Sequence, residues 1–550
     1  MATSLRTLGV DFGTSTTLIA ESGPTGKPSI VPMGDSTSWM PSVASPRGAD
    51  LIVGEDALRQ SPGSLIRSVK RCITTGATTV CSADKSFERS ADEVIGAVLT
   101  ELASRAQFER LPISEPGTTR LGCPAMWDAD QRLRLLNLAS AAGFAVGAST
   151  LIDEPVAAGL MWITEQTRRA IYLDGARVLV FDMGGGTLDV AILDVTTSPD
   201  RDPEIYVLAS AGVDEAGDVL DTAIAKNLED ILGERDIFLG DLPDEGLARA
   251  YLDRAATEAK IALTDVSETD IDVAYAAVQL PRLHYSVEQL DDALRPQMER
   301  AWSLVESTLR AAYLTREGPQ SRASDLRKLS AEQLTSKITH VLLTGGMSRV
   351  PGVARFLGPR FANAVVHQDA SIRVQESIAA GLAENTTYER VNLHLPGFDF
   401  VLDYIDRDGT QQTATLYRAH TRFYEPWEAM SRDRLYYSWP DGATAYRSEA
   451  VRDLPDHGSG AMRVVALDGS PVTLRHGDDE VDRLRVDFGL RDVRFTLAPD
   501  GSLTLTDGRL YQQTMRVDRW PALRSGFGRL ALNIEKPRWV PMERRAYDTK

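Results

Sequence analysis

The chemistry this sequence offers sits where acids and hydroxyls interrupt apolar runs at glycines. In VLVFDMGGGTLDVAIL, residues 178 to 193, Asp182 and Asp189 flank Gly184, Gly185, Gly186 and Thr187. The runs on either side, Val178 to Phe181 and Val190 to Leu193, have the β-branched and apolar composition of covered strands. A turn without side chains brings backbone N–H groups closer to a ligand than any Cβ permits. Amides for an anion, carboxylates for a hydrated magnesium ion and a hydroxyl for a terminal oxygen together suit a phosphate with its metal. Taken alone, the segment also reads as a glycine-rich hairpin with no ligand, because isolated glycine patterns are weak evidence.

A second segment repeats the design. LGVDFGTSTTLIA, Leu8 to Ala20, places Asp11, Gly13 and the hydroxyls of Thr14, Ser15 and Thr16 between apolar runs. Two such strand–turn–strand units can grip one nucleotide from opposite sides. Between them, LIDEPVAAGL (Leu151 to Leu160) sets Glu154 before Pro155, at the mouth of a helix of small residues. VLLTGGMSRVPGVARFL (Val341 to Leu357) is an apolar strand ending in Gly345 and Gly346 and followed by a helix, a turn that suits a flat adenosine. ESIAAGLA (Glu376 to Ala383) is a small-residue helix that lets two helices pack closely.

In order and content these five segments resemble the superfamily of actin, sugar kinases and seventy-kilodalton heat-shock ATPases. The details favour the heat-shock, DnaK-type chaperone branch. GGMSRVPGV, with Arg349 and Pro351, is similar to that family's adenosine segment, and CPAMWDADQRLRL carries Pro124 and Arg132 at the family spacing. SVKRCIT places Lys70 and Arg71 where the family has its catalytic lysine and the next arginine. The resemblance covers about residues 5 to 385. It implies an α/β two-lobed actin-like ATPase of duplicated ribonuclease-H-like domains, using ATP and ADP with Mg²⁺.

The resemblance also distributes roles. Asp11, Asp182 and Glu154 would hold Mg²⁺, largely through waters. Gly13, Thr14, Ser15, Thr16 and the amides of Gly184, Gly185 and Gly186 would cradle the phosphates, with Thr187 near the terminal one. Lys70 would position the attacking water, and Asp189 would orient or deprotonate it, so that Lys70, Asp189, Glu154 and Thr187 form the catalytic set. Gly217, Lys260, Thr264, Gly345, Gly346 and Arg349 would complete the nucleotide pocket. Pro124 and Arg132 would couple nucleotide state to the domain surface. The sequence departs from the family where Ile261 replaces an adenine-stacking arginine, Thr257 a glutamate, and Gln375 an aspartate. Losing one cation–π face costs on the order of 1 kcal/mol, which implies weaker or broader base selection.

Composition bounds the rest. At 550 residues the chain is too long for one core. A formal charge of −18 argues against nucleic acid and against anionic membranes. The N-terminus has no apolar signal core and no run approaches the roughly 18 apolar residues of a spanning helix, which points to the cytoplasm. Cys72, Cys81 and Cys123 form no short paired motif and read as reduced thiols. The expected organisation is a first lobe over 1–195, a second over 196–388, and an all-β, sandwich-like domain over 389–550. Asp408-Gly409, Asp468-Gly469 and Asp500-Gly501 mark hairpins in that last domain, and VRFTLAPDGSLTLT is similar to the closing hairpin of the family's β substrate-binding domain. The short stretch after it offers too little chain for the family's helical lid.

Three functions follow from these readings. The first is a chaperone-like ATPase whose β domain holds unfolded polypeptide or a dedicated protein partner, with a co-chaperone or exchange factor. The second is an actin-like filament or nucleotide-gated scaffold, and the third a metabolite kinase of the same fold. The aromatic end, including Tyr436, Tyr437, Trp439, Trp520 and Trp539, supplies core or a partner surface.

Overall fold

A computed structural model of the chain describes residues 6–23, 26–198, 201–275, 278–317, 328–368, 375–384, 386–390, 396–421, 446–467, 469–476, 479–489, 492–497 and 503–508. It also describes the short strand segments 512–514, 517–519, 523–524, 531–534 and 538–540. Residues 391–395, the residues Tyr436, Tyr437, Trp439 and Trp520, the Trp539 side chain and the turn at Asp500-Gly501 fall outside what is described.

The first lobe is built on the hairpin of β1 (Thr7–Phe12) and β2 (Thr16–Ser22), with β3 (Pro28–Val31) and β4 (Met40–Pro41) pairing to β2. Every residue of β1 is buried, as expected for a strand covered on both faces. After α1 (Arg71–Thr75) and α2 (Ala91–Phe108), β5 (Thr119–Cys123) lies parallel to β1. Next comes α3 (Ala129–Ala141), whose first turn is closed by a capping box of Asp128 and Gln131. The strand β6 (Leu151–Asp153) then completes the sheet and runs directly into α4 (Glu154–Arg168).

The second lobe repeats the plan. β7 (Ala176–Met183), β8 (Leu188–Ser198) and β9 (Arg201–Val213) form an antiparallel meander. Its helices α5 (Gly217–Gly233), α6 (Glu245–Ala262) and α7 (Val287–Glu317) share one apolar core with the sheet. Ser286 caps α7, its hydroxyl accepting from Gln289 N at 3.3 Å. β10 (His340–Thr344) lies parallel to β7, α8 (Pro351–Leu357) follows, and β11 (Val365–Gln368) lies parallel to β10. α9 (Ser377–Ala383) packs with α4 between the two sheets.

The second boundary element lies elsewhere than expected. β7 and β8 are members of the second sheet, so the chain crosses between lobes before Ala176 rather than near residue 195. The two glycine hairpins look alike in sequence, and only the parallel pairing of β7 with β10 reveals that each lobe owns one. At the other end, β12 (Glu389–Arg390) pairs with β9, so the first residues assigned to the third domain belong to the edge of the second lobe.

The β domain centres on β13 (Phe398–Ile405), which pairs with both β14 (Gln411–Tyr417) and β15 (Gly458–Ala466). β16 (Pro471–His476) and β17 (Leu484–Phe488) extend β15. The hairpin of β18 (Arg494–Leu497) and β19 (Leu503–Thr506) closes over the core through Phe495, beside Phe400 and Tyr446. Gly409 (φ 81°) and Gly469 (φ 83°) adopt the left-handed conformation that Asp-Gly turns require. Tyr313 of α7 packs against this core. Cys72 and Cys123 are buried and Cys81 is exposed, and none of the three is in a disulfide among the described residues. Among the described residues no helix is long and apolar enough to cross a membrane.

Candidate functional site

The two glycine turns meet face to face. Gly13 N donates to Thr16 O at 3.0 Å and Gly184 N to Thr187 O at 3.0 Å, so the two hairpins turn in the same way. A Cβ on Gly185 would stand 2.7 Å from Ser15 Oγ, and one on Gly186 would stand 2.7 Å from Thr14 Oγ1. These glycines therefore admit the opposing turn's hydroxyls, a reason distinct from the ligand approach read from sequence. The start of α5 steadies the second turn, with Gly217 N donating to Gly184 O at 3.1 Å and Asp218 N to Gly185 O at 2.7 Å. Gly345 (φ 79°) tucks under Asp182, where a Cβ would lie 2.6 Å from its carboxylate. Nothing lies within 4 Å of the Cβ position of Gly346, which leaves its face open.

Between the turns lies a cavity of about 520 Å³. Asp11, Gly13, Thr14, Ser15, Thr16, Lys70, Glu154, Asp182, Gly184, Gly185 and Thr187 line its floor. Gly217, Lys260, Thr264, Gly345, Gly346 and Arg349 also line it, together with Ile261 and Gln375. Gly186 and Asp189 do not line it. Asp189 stands behind Thr187, one oxygen accepting from Ala125 N at 2.7 Å. Thr257 reaches the cavity, whereas Glu258 turns away to pair with Arg254 at 2.7 Å. Ile261 is 59% exposed, an apolar side chain left open at the cavity wall.

Charge is concentrated on the floor. Lys70 follows Ser68, which holds the left-handed conformation (φ 54°) rare for a residue with a Cβ. Its ammonium donates to Glu154 Oε1 at 2.5 Å, and both side chains are buried. Burial opposes the lysine's charge, but Glu154 and Asp11 outweigh it and hold the lysine above its ordinary pKa. Burial, then Glu154, pushes Asp11 up to about 8 and Asp182 up to about 7, and raises Asp189 well above the carboxylate range. One lysine thus faces four buried carboxylates.

A hard cation suits that excess of carboxylate oxygen. Among the described residues no three His, Cys, Asp or Glu side chains stand close enough to hold a metal directly. A magnesium ion retaining its waters fits the donor set; a bare ion bound only by protein does not.

Behind the floor runs a second buried pair that sequence reading underused. Arg132 donates to Asp153 Oδ1 at 2.8 Å, to Trp127 O at 2.8 Å and to Cys123 Sγ at 3.0 Å. Asp153 immediately precedes Glu154, so the acids of the DEP triplet serve two different cations. The ring of Trp127 lies 5.8 Å from Lys70 Nζ, and its N–H donates to Thr74 Oγ1 at 3.0 Å. A tryptophan inside the proline–arginine segment was the available signal. From α3 the contacts continue outward: Ala129 N donates to His420 O at 3.1 Å, and Arg418 pairs with Asp130. The β domain therefore touches the helix that carries Arg132.

Comparison with known proteins supplies a family. A family model described as Hsp70 protein matches residues 74–390. The chaperone protein DnaK of Thermotoga neapolitana is 30% identical over 388 residues, which is 69% of this chain and 60% of that protein. DnaK of Thermosipho melanesiensis is 29% identical over 384 residues, 68% of this chain and 59% of that protein. DnaK of Thermoplasma volcanium is 27% identical over 391 residues, 68% of this chain and 57% of that protein. The matched stretch spans about 60% of the length of the first of these relatives.

Proposed function

The chain belongs to the Hsp70 family, and from that premise we propose that it is an ATP-binding, slowly hydrolysing chaperone-like protein in which the nucleotide state of two lobes controls what its β domain holds. The observation that carries this reading is the pair of opposed glycine turns over a floor of one buried lysine and three buried carboxylates, with the buried Asp189 behind it. Gly13, Thr14, Ser15, Thr16 and the Gly184 to Gly186 amides bind the phosphates, with Thr187 beside the terminal one. Gly217, Lys260, Thr264, Gly345, Gly346 and Arg349 hold the nucleoside.

Asp11, Asp182 and Glu154 are the residues that would hold a hydrated Mg²⁺, which when bound offsets the phosphates' charge. Lys70 orients the attacking water and stabilises charge developing on the terminal phosphate. Asp189, reached through Thr187, keeps a proton acceptor near that water. Arg132, fixed between Asp153 and the Trp127 carbonyl, carries changes at the floor into α3, and the contacts of α3 with His420 and Arg418 pass them to the β domain. That domain then binds unfolded polypeptide or a dedicated protein partner.

The test is steady-state ATP turnover by the purified chain with and without excess permanently unfolded polypeptide. Stimulation that is lost in Arg418→Glu supports the reading. A chain that neither binds nor hydrolyses ATP refutes it, and turnover indifferent to polypeptide replaces the general client with a dedicated partner.

A further inference from the structure

Lys70 stands at the start of α1, a helix of only 5 residues. So short a helix is not stable on its own, and its order comes from what grips it. That grip comes from α3. Gln131 Nε2 donates to Thr74 O at 2.7 Å, and the Arg134 guanidinium donates from Nη1 to Cys72 O at 2.9 Å and from Nη2 to Ala77 O at 2.8 Å. Cys72 O and Thr74 O are among the last four carbonyls of α1, which a helix leaves without partners of its own. A cation there also suits the negative end of the helix. Just ahead of α3, the ring N–H of Trp127 adds its bond to Thr74 Oγ1. Cys72 and Ile73 share one buried core with Leu135 and Ala139 of α3.

Both gripping side chains are themselves held. Gln131 Oε1 accepts from Asp128 N at 2.9 Å in the capping box, and Arg134 Nε donates to Asp92 Oδ1 of α2 at 2.7 Å. Residues 131 and 134 lie three apart, and so on one face of α3, toward α1. Arg132 turns instead to Asp153, and Ala129 and Asp130 meet the β domain. A shift of α3 against α1 therefore either breaks the bonds from Gln131 and Arg134 or carries α1, and the backbone of Lys70, along with it. The far end of that lysine is where placement matters, since a displacement of about 1 Å costs catalysis on the order of a hundredfold.

We propose that Gln131 and Arg134 are positioning residues for Lys70: the grip of α3 on α1 sets where the lysine's charge stands, and so the rate of hydrolysis rather than the affinity for ATP. The proposal rests on the functional reading in which Lys70 orients the attacking water. It adds to that reading a connection from the helix that meets the β domain to the lysine itself, separate from the pair of Arg132 and Asp153.

Gln131→Glu keeps the oxygen that caps α3 and replaces the amide that reaches Thr74 with a second oxygen, which the Thr74 carbonyl repels. Arg134→Met keeps the apolar stem and removes every donor. Steady-state kinetics, single-turnover hydrolysis and equilibrium ATP titration are read for each. In both variants kcat and kcat/KM fall together by about tenfold, with ATP affinity within about twofold of wild type. Arg134→Lys, which still reaches one carbonyl, is intermediate. In a Lys70→Met background the same changes alter the residual single-turnover rate by less than about twofold, since no lysine is left to position. Turnover within about twofold of wild type in Gln131→Glu and Arg134→Met, or a loss of about tenfold repeated in the Lys70→Met background, overturns the proposal and leaves the functional reading standing. So does a fall in ATP affinity as large as the fall in rate, which marks a general loss of structure. Gln131→Glu, with its capping box intact, decides the matter if Arg134→Met does not fold. A Lys70→Met chain that hydrolyses ATP like wild type removes the functional reading and the proposal together.

Discussion

Replacing Lys70 by methionine keeps most of its volume and removes its charge, so the consequence is chiefly electrostatic. Lys70 and Glu154 are 3% and 5% exposed and lie 2.5 Å apart. Breaking a buried pair by removing one partner leaves the other charge uncompensated and costs about 3–5 kcal/mol. Here the cost falls at the upper end, because the lysine also lowers the pKa of Asp11 and Asp182, which even so reach about 8 and 7. At roughly 2–4 °C per kcal/mol for domains of this size, the ligand-free chain should melt on the order of 10 °C lower. Lys70→Met with Glu154→Gln should recover part of that loss, since the orphaned carboxylate is gone, and the double-mutant cycle should show a coupling of about 2 kcal/mol. Turnover in Lys70→Met should drop by about 10²–10³, the usual effect of removing one group that stabilises transition-state charge. Differential scanning calorimetry and a phosphate-release assay read the two effects separately. A melting temperature close to wild type, or turnover within about tenfold of it, would refute the assignment of Lys70 as the floor's neutralising and catalytic charge.

Two further outcomes test the turns and the histidines. Gly185→Ala should weaken ATP binding by about tenfold with a stability change below roughly 1 kcal/mol, because Ser15 Oγ, 2.7 Å from the new methyl, can rotate away while the gap between the turns changes. Equilibrium titration and thermal melting check the pair of readings, and unchanged binding would deny the turns a role. His340 stacks with Trp162 and His367, its Nδ1 3.1 Å from His367 Nε2, and burial followed by that second imidazole holds its pKa below the ordinary value. The unfolded chain then takes up a proton near pH 6.5 that the folded chain refuses, so this site's contribution to stability falls as pH drops through that value. His340→Gln should flatten the decline in melting temperature between about pH 7 and pH 5; an unchanged slope would place the cause elsewhere.

The segments that form the cavity were legible because each is local. A strand, a four-residue turn and a second strand lie within sixteen residues in VLVFDMGGGTLDVAIL, and hydrophobic pattern plus glycine suffices to read them. Ownership of the hairpins was not legible, since β7 is placed in the second lobe by its pairing with residues 340–344, far along the chain. Sequence also credited the glycines to ligand approach, whereas Gly185 and Gly186 are needed where Ser15 and Thr14 press against them from the other lobe. The meeting of the two turns left no mark in the sequence, because Ser15 and Thr14 reach Gly185 and Gly186 from far along the chain. The contact of Asp130 with Arg418 was hidden for the same reason, and no short-range pattern encodes it.

The crossing of α4 and α9 has a mechanical meaning. At Gly381 the backbone of α9 rests on the carbonyl of Ala157, and at Gly9 the strand β1 rests on the carbonyl of Ala379. Any side chain larger than hydrogen at Gly381 or Gly9 would meet that backbone and force the layers apart, so the separation of the two sheets is set here by peptide groups rather than by side chains. A spacing fixed in this way is insensitive to which apolar residues fill the rest of the junction.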